Sequence, residues 1–385
     1  FSVWVLPFGT AFMNLIKMLI VPVIFFSLVS GISAIGDVNR LKRVGMKIVA
    51  TYVVMTAVSC FIGIAVVSIT HPGAGFDTSV LTAYDPSNLT TPSFGGFLLG
   101  MIPTNIVSSM ANQDIMQMVF FTMILAIALV IVGEKAKVVT EFMNQSANVI
   151  YKMLDIIMIY SPIGVFALMA NTTAVYGAQL FGNLAKFVLT DYISCLLAWF
   201  AFSIFIKYYT GIRYGRMCKA MVPIWINTVA TNSSAGTIPI TMDVTTNRMG
   251  LPFDLTSFSI PLGATINLCG AAIYKTILAF FVAEIYGSVG QIAMVISIST
   301  LMSIAAPGIP GGGIVTGAIF LNLLNLPMDL MGPIAGMYKL IDMSHTTLNV
   351  SGDVLGTLFV AKNEKIWNAK AFNEKTGDFG AINAE

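Results

Sequence analysis

Charged residues are scarce in this sequence, and their scarcity excludes a soluble domain. Only 10% of the 385 residues are Asp, Glu, Lys or Arg, whereas soluble domains carry about 25%. Hydrophobic residues make up 56% of the chain, and its mean hydropathy is +0.84. A soluble protein of this composition would expose large apolar patches. The composition therefore indicates a polytopic membrane protein.

The small net charge and the few cysteines argue against other classes of protein. The net charge is +2, which is too small to indicate a nucleic-acid partner. Cysteine is rare and has no C-x-x-C spacing, which argues against a disulfide framework or a zinc site. The cysteines are predicted to be small packing residues within apolar segments, namely Cys60, Cys195, Cys218 and Cys269.

Long apolar runs are abundant. A spanning helix needs about 20 mostly apolar residues, and several runs exceed this length, so they must tilt, break or project beyond the bilayer. Two apolar segments, 220–246 and 290–325, are interrupted by TNSSAGTIP and AAPGIPGGG. The candidate spans lie roughly at 5–35, 46–70, 95–132, 141–170, 180–209, 255–285 and 331–361.

The two interrupted segments indicate a transporter. Irregular backbone at membrane depth is tolerated only where it lines a cavity or is buried in protein. A pair of Gly/Pro-interrupted hydrophobic segments is typical of a binding site near the bilayer midplane. Two ordinary loops with apolar flanks are the alternative. Basic residues cluster in alternate loops and in the C-terminal tail, which predicts that these loops and the C-terminus are cytoplasmic.

A polar stripe runs along the last apolar segment. Asp342, Thr346, Asn349 and Asp353 lie within about 60° of one another around a helix, and His345 borders them. Ionisable residues inside a membrane are costly and indicate function by default. Oxygen ligands on this face suit a hard cation such as Na⁺. A hydrogen-bonded structural seam is the alternative.

A second polar stretch is PLGATINLCGAAIY, residues 261–274. Gly263 and Gly270 loosen the predicted helix, and Asn267 offers a side-chain oxygen. GATIN is therefore predicted to be an unwound segment, with close packing through small residues as the alternative. The neighbouring Lys275, like Lys339, is predicted to form an ion pair or to snorkel near a helix end.

Together these stretches resemble the glutamate transporter family, the dicarboxylate/amino acid:cation symporters. NSSAGTIPIT and GIPGGG are similar to the tips of the two family hairpins, PLGATINLCG to its unwound helix, and DMSHTTLNVSGD to its last helix. The resemblance implies an all-α polytopic membrane protein, an elevator-type transporter with two re-entrant helical hairpins. It also implies the eight-helix family layout, with the first helix expected before Phe1.

The resemblance further implies a homotrimer in the plasma membrane, contacting lipid, with mobile transport domains. The scaffold would comprise residues 1–40 and the trimerisation helices of 76–175. The transport domain would comprise 41–75 and 176–385, with re-entrant hairpins at about 216–250 and 288–327.

By position, the resemblance assigns residues to a substrate site and to two sodium sites. Asp342 matches the residue that receives a substrate ammonium, and the hairpin tips match the α-carboxylate site, where helix N-termini suit an anion. The substrate group comprises Ser233, Ser234, Ile309, Gly313, Asp342, His345, Thr346 and Asn349. One sodium site comprises Gly263, Asn267, Asn349 and Asp353, and a second comprises Thr265, Ser303, Ile304 and Ala306.

Three departures from the family pattern bear on function. His345 stands where acidic amino acid transporters have Arg, which is a permanent bidentate partner for a carboxylate, unlike His. Cys269 replaces an aspartate and Met55 a hydroxyl residue, so the third sodium site is predicted to be degraded. The Arg that usually supports the substrate aspartate is absent, with Asn232 and Met343 at its two possible positions.

These departures predict a sodium-coupled symporter for a neutral or small polar amino acid, with about two sodium sites. The alternative is an acidic amino acid or dicarboxylate symporter, with a possible proton link through His345. A passive anion channel stays open. An enzyme is not expected, because Asp342 and Asp353 lie about 16 Å apart along a helix, too far to share a proton, and no HExxH motif occurs.

Overall fold

The protein is described from a computed structural model, and its described residues form an all-helical fold. The structure describes residues 2–33, 38–76, 99–100, 102–112, 114–176, 179–286, 292–305, 311–324, 326–328, 330–369 and 372. The helices are α1 Ser2–Ser33, α2 Val38–Thr70, α3 Ile106–Ala111, α4 Ile115–Val132, α5 Lys137–Tyr176, α6 Gln179–Thr210, α7 Tyr214–Thr231, α8 Ser234–Asp243, α9 Phe253–Ile266, α10 Cys269–Tyr286, α11 Ile292–Ala305, α12 Gly312–Leu323 and α13 Met331–Asn363.

Several helices are long and apolar enough to cross a bilayer. Among the described residues, Val44–Thr70, Gly182–Thr210 and Phe258–Tyr286 meet this description by length and composition. The first two expose much of their surface, whereas the third is almost wholly buried inside the protein. The third segment therefore faces other helices rather than lipid, which suits a polar interior.

The helices pack into two groups. Helix α1 packs mainly on α5 and α4, and exposed apolar side chains such as Ile131 and Ile159 lie on the outer surface of this group. Helix α13 lies at the centre of the second group, where it contacts α2, α6, α7, α9 and α10. Helix α13 also contacts α5 of the first group, and the division into scaffold and transport domain stays a prediction, as does their relative motion.

The over-long predicted spans break at polar residues. In the 95–132 stretch, α3 ends at Ala111 and α4 begins at Ile115. In the 255–285 stretch, α9 ends at Ile266 and Asn267 leaves the helical conformation (φ −114°, ψ 54°) before α10 begins at Cys269. The unwound segment predicted from GATIN thus lies at its last residue and the one that follows.

The first interrupted segment forms a helix–turn–helix. Helix α7 ends at Thr231, and the left-handed backbone of Asn232 (φ 50°) reverses the chain. Ser233 then caps α8 by accepting a hydrogen bond from the Gly236 amide at 2.9 Å. Asn and Ser are favoured at such positions because their short polar side chains satisfy unpaired backbone groups. In the second interrupted segment, α11 and α12 pack against each other.

Candidate functional site

The polar stripe predicted on the last span lies on α13 and is buried. Asp342 is 8% exposed, and the other four members are at most 5% exposed. Helices on several sides of α13 surround the stripe. The buried stripe therefore faces protein rather than lipid, as expected for intramembrane polar groups.

The predicted ammonium-binding residue contacts the second hairpin. The Tyr338 hydroxyl lies 3.2 Å from Asp342 Oδ1, one turn earlier on α13. The backbone of Gly311, at the start of α12, also hydrogen-bonds the Asp342 carboxylate. A Cβ on Gly313 would lie 1.7 Å from the Tyr338 hydroxyl. The Tyr338 hydroxyl therefore fills the space that a side chain at Gly313 would need.

The tip of the first hairpin contacts α13 near the same carboxylate. Asn232 Nδ2 donates a hydrogen bond to the Lys339 carbonyl at 2.8 Å, one turn before Asp342. Ser233 and Ser234 begin α8 and are buried. The N-terminus of α8 therefore lies at the hairpin tip, where the resemblance places a substrate carboxylate, and helix N-termini favour negative charge.

The four predicted residues of the first sodium site lie together. Asp353 Oδ1 accepts a hydrogen bond from Asn267 Nδ2 at 2.8 Å. A Cβ on Gly263 would lie 2.3 Å from Asp353 Oδ1, so only glycine permits this approach. Asn349 Oδ1 accepts from the Gly270 amide at 2.7 Å. The unwound segment and α13 thus bring the Asp353 carboxylate and the side-chain amides of Asn267 and Asn349 to one part of the fold, and carboxylate and amide oxygens are ligand types that suit a hard cation.

The second predicted sodium site is described only in part. Ala306, and Ile309 of the predicted substrate group, lie outside the described residues. Thr265 Oγ1 donates to the Leu262 carbonyl at 2.8 Å on α9. Ser303 and Ile304 lie in the last turn of α11, which packs against α9.

Lys275 neither snorkels nor forms an ion pair with any described residue, contrary to the sequence prediction. It is 0% exposed, in the middle of α10. Its Nζ donates to the Ala271 carbonyl and to Ser303 Oγ, both at 3.1 Å. Its position inside an apolar helix was a signal of function that the prediction overlooked.

The predicted third sodium site has a thiol where the family has a carboxylate. Cys269 is fully buried, and its Sγ donates to Asn267 Oδ1 at 3.1 Å. Thr56 Oγ1 lies 3.9 Å from the same sulfur. A neutral thiol and a hydroxyl offer a sodium ion much less than a carboxylate does, and the degraded third site stays a prediction.

His345 is paired with a carboxylate that sequence reasoning missed. Its Nε2 lies 2.7 Å from Oδ1 of Asp191 on α6, and both side chains are at most 1% exposed. Ser344 Oγ donates to the other oxygen of Asp191 at 2.8 Å. The sequence did contain a signal, because Asp191 is an ionisable residue inside the apolar run LTDYISCLLAWF.

The opposite nitrogen of His345 lacks a partner. Nδ1 is buried and forms no hydrogen bond with any described residue. The ring tilts against those of Tyr274 and Tyr338, at centroid distances of 5.3 and 6.2 Å. Because Nε2 is anchored by Asp191, Nδ1 is the atom available to a ligand or a proton. The predicted substrate residues Asp342 and His345 are thus linked through Tyr338.

Asp191 and His345, with Cys195, also form a set of metal-ligating types. Their ligand atoms lie within 4.8 Å of one another. However, the hydrogen bond between Nε2 and Oδ1 already joins two of the three directly. The set is better explained as a hydrogen-bonded pair in which Asp191 positions the imidazole.

Comparisons with known proteins agree with the resemblance. The model of the Sodium:dicarboxylate symporter family matches residues 1–363. The chain is 33% identical to the Proton/glutamate-aspartate symporter of Escherichia coli (strain K12), over 94% of this chain and 86% of that protein. It is 32% identical to the C4-dicarboxylate transport protein of Bacillus subtilis (strain 168), over 93% and 87%. It is 29% identical to the Proton/sodium-glutamate symport protein of Bacillus caldotenax, over 96% and 89%.

These matches confirm the family, the membrane location and the prediction that the chain is not an enzyme. They also extend over nearly the whole described fold, including both hairpins and the polar stripe. The chain therefore belongs to the Sodium:dicarboxylate symporter (glutamate transporter) family and is a multi-pass, cation-coupled symporter.

Proposed function

We propose that this transporter takes up an acidic amino acid, glutamate or aspartate, together with a proton on His345 and sodium at the Asp353 site. The observation that carries the proposal is the buried pair of Asp191 and His345, with Nδ1 of His345 unpartnered among the described residues. This reverses the preference for a neutral substrate that the sequence suggested.

The charges of the site support an acidic substrate over a neutral one. A substrate ammonium would be neutralised by Asp342. A second substrate carboxylate needs a cation nearby, and neutral His345 supplies none. When His345 is protonated, Nε2–H stays on Asp191 and Nδ1–H becomes a donor for the substrate carboxylate. Asp191 stabilises the imidazolium, so the pair can act in place of the missing Arg once a proton binds.

The relatives also favour the acidic substrate over the neutral one. The names of three compared proteins describe glutamate, aspartate or C4-dicarboxylate transport, and the two that name glutamate also name protons or sodium. A C4-dicarboxylate is the second candidate for this chain. It lacks an ammonium, however, and would bring a second carboxylate towards buried Asp342, which costs binding free energy. An amino acid fits the retained aspartate better.

The transport cycle is proposed to follow the elevator scheme implied by the family resemblance. Helices α2 and α6–α13 would carry the substrate, and α1, α4 and α5 would form the scaffold of a homotrimer in the plasma membrane with a cytoplasmic C-terminus. The packing of α4 and α5 on α1, and of α2, α6, α7, α9 and α10 around α13, supports this division, and the contact between α5 and α13 would lie between the two parts.

The pH dependence of aspartate affinity tests the proposal. Because the proposed bound state holds one more proton, aspartate should bind tighter as the pH is lowered, by up to about tenfold for each pH unit. The measurement is isothermal titration calorimetry of the purified protein at saturating sodium, from about pH 8 to about pH 5. Asp191→Asn and His345→Gln should each flatten this dependence.

Alanine is the matched control ligand. It shares the ammonium contact with Asp342 but has no second carboxylate, so it isolates any effect of pH on Asp342 itself. Aspartate affinity that stays flat with pH, combined with tighter binding of alanine or serine, would overturn the proposal and restore the neutral substrate. Tight binding of succinate with none of aspartate would favour the dicarboxylate.

The contact between Gly313 and Tyr338 yields a second prediction. Gly313→Ala places a methyl group where the Tyr338 hydroxyl lies, so the start of α12 must move away from α13. We expect aspartate affinity to fall by about tenfold or more, since overpacking a tight contact costs about 1–3 kcal/mol. Calorimetry measures the loss. Gly182→Ala on α6, where a Cβ meets no atom within 4 Å, should bind aspartate normally. Equal affinities in both variants would contradict the proposed role of this contact.

A further inference from the structure

Lys275 is a buried basic side chain that the proposed function does not use. It lies in α10, fully enclosed, and reaches across to α11. Both acceptors of its Nζ, the Ala271 carbonyl and Ser303 Oγ, are uncharged. A charged side chain at such a place is costly unless a network of oxygen atoms or a function compensates it.

The position of Lys275 overlaps with the second predicted sodium site. Ser303, which accepts the hydrogen bond from Nζ at 3.1 Å, is also the residue whose carbonyl the resemblance assigns to that site. Sodium and ammonium are both satisfied by neutral oxygen atoms, so the same end of α11 can serve either cation. A sodium ion beside the ammonium would be repelled by a like charge a few ångströms away. Even in a partly polar interior, this repulsion weakens the binding of the sodium ion by about 100-fold.

The geometry points to Lys275 as a tethered cation that takes the place of the second sodium ion. The ammonium holds the Ser303 end of α11 against α10. It supplies there the positive charge that an ion from solution would otherwise bring. Because the lysine stays covalently attached, the charge moves with the protein and is not released with the substrate. The transporter then binds one sodium ion, at the Asp353 site.

This inference rests on the proposed function, because it concerns the sodium ions that drive that transport, and it revises the number expected from the sequence from about two to one. A purely structural role for Lys275, as a link between α10 and α11, makes a different prediction. It would change stability when the lysine is replaced, but it would leave the number of bound sodium ions unchanged.

Counting bound sodium decides between these roles. Equilibrium dialysis of the purified protein with radioactive sodium, at constant ionic strength in choline chloride, should give about one sodium per wild-type protomer, with or without aspartate. Lys275→Gln and Lys275→Met should each give about two, because they free the oxygen atoms of the second site. Lys186→Gln, which removes the same charge from an exposed position on α6, should match the wild type.

Two results would overturn the inference. One is a count of about two in the wild type, a measurement that needs no variant to fold. The other is a count that stays at about one in a folded Lys275 variant, judged by size-exclusion chromatography. Failure of the proposed function would appear separately, as an absence of aspartate binding at every pH. Sodium is also counted without substrate, so the sodium count does not depend on aspartate binding.

Discussion

Replacing Asp342 by Asn should lower the affinity for aspartate or glutamate by about 100-fold or more. The carboxylate of Asp342 is buried and would carry the ion pair with the substrate ammonium. Removing one partner of such a buried pair costs about 3–5 kcal/mol, and every 1.4 kcal/mol is a factor of ten. Asn keeps the shape of the side chain and its hydrogen-bonding oxygen, so the loss reports the charge. Calorimetry with each amino acid measures it.

Two comparisons sharpen this experiment. Asp114→Asn removes a carboxylate from an exposed position at the start of α4, where the side chain makes no cap hydrogen bond, and should bind like the wild type. Succinate, which has no ammonium, should lose nothing in Asp342→Asn and should bind tighter, because a like charge has been removed. Full affinity for aspartate in Asp342→Asn would refute the assignment of the ammonium site.

Asp353→Asn should abolish the response of the transporter to sodium. Asp353 is the only charged group among the four residues assigned to the first sodium site, and it is held by Asn267 Nδ2 at 2.8 Å. When Asp353 loses its charge, a desolvated sodium ion at this site keeps only neutral oxygen ligands. We expect sodium affinity to fall by about 100-fold. The measurement is the rise in melting temperature with sodium chloride relative to choline chloride.

Stability must be separated from binding in this variant. The side-chain amide introduced by Asp353→Asn would face the amide of Asn267, so the melting temperature without sodium is expected to change as well. The decisive quantity is therefore the increment that sodium adds, compared with the increment in Asp114→Asn. A sodium increment equal to that of the wild type would show that the ion binds elsewhere.

The sequence predicted the site best where a single helix carries it. The period of α13 places Asp342, Thr346, Asn349 and Asp353 on one face, and the cost of intramembrane charge requires that face to be enclosed. An unwound segment at GATIN was predicted because Asn267 and the flanking glycines favour non-helical backbone, and the break lies at Asn267, its last residue. Both features are local, so one sequence sufficed to find them.

The features that the sequence missed depend on which helices meet. Asp191 lies 154 positions before His345, and nothing in the periodicity of α6 shows that it faces α13. The missing Arg therefore suggested a neutral substrate, since the pairing that gives the imidazole an anionic partner was hidden. The burial of Lys275 was missed for the same reason. It follows from the packing of α10 against α11 and α2.

The contacts of Asp342 with Gly311 and Tyr338 join the proposed ammonium site to the start of α12. The protein itself can therefore satisfy this carboxylate, through the Tyr338 hydroxyl and the backbone of Gly311. In the proposed elevator cycle, the same groups would serve Asp342 after the substrate leaves, so its charge would keep partners during the return step. We expect such a carrier to return without a substrate, and so to accumulate solute rather than exchange one molecule for another.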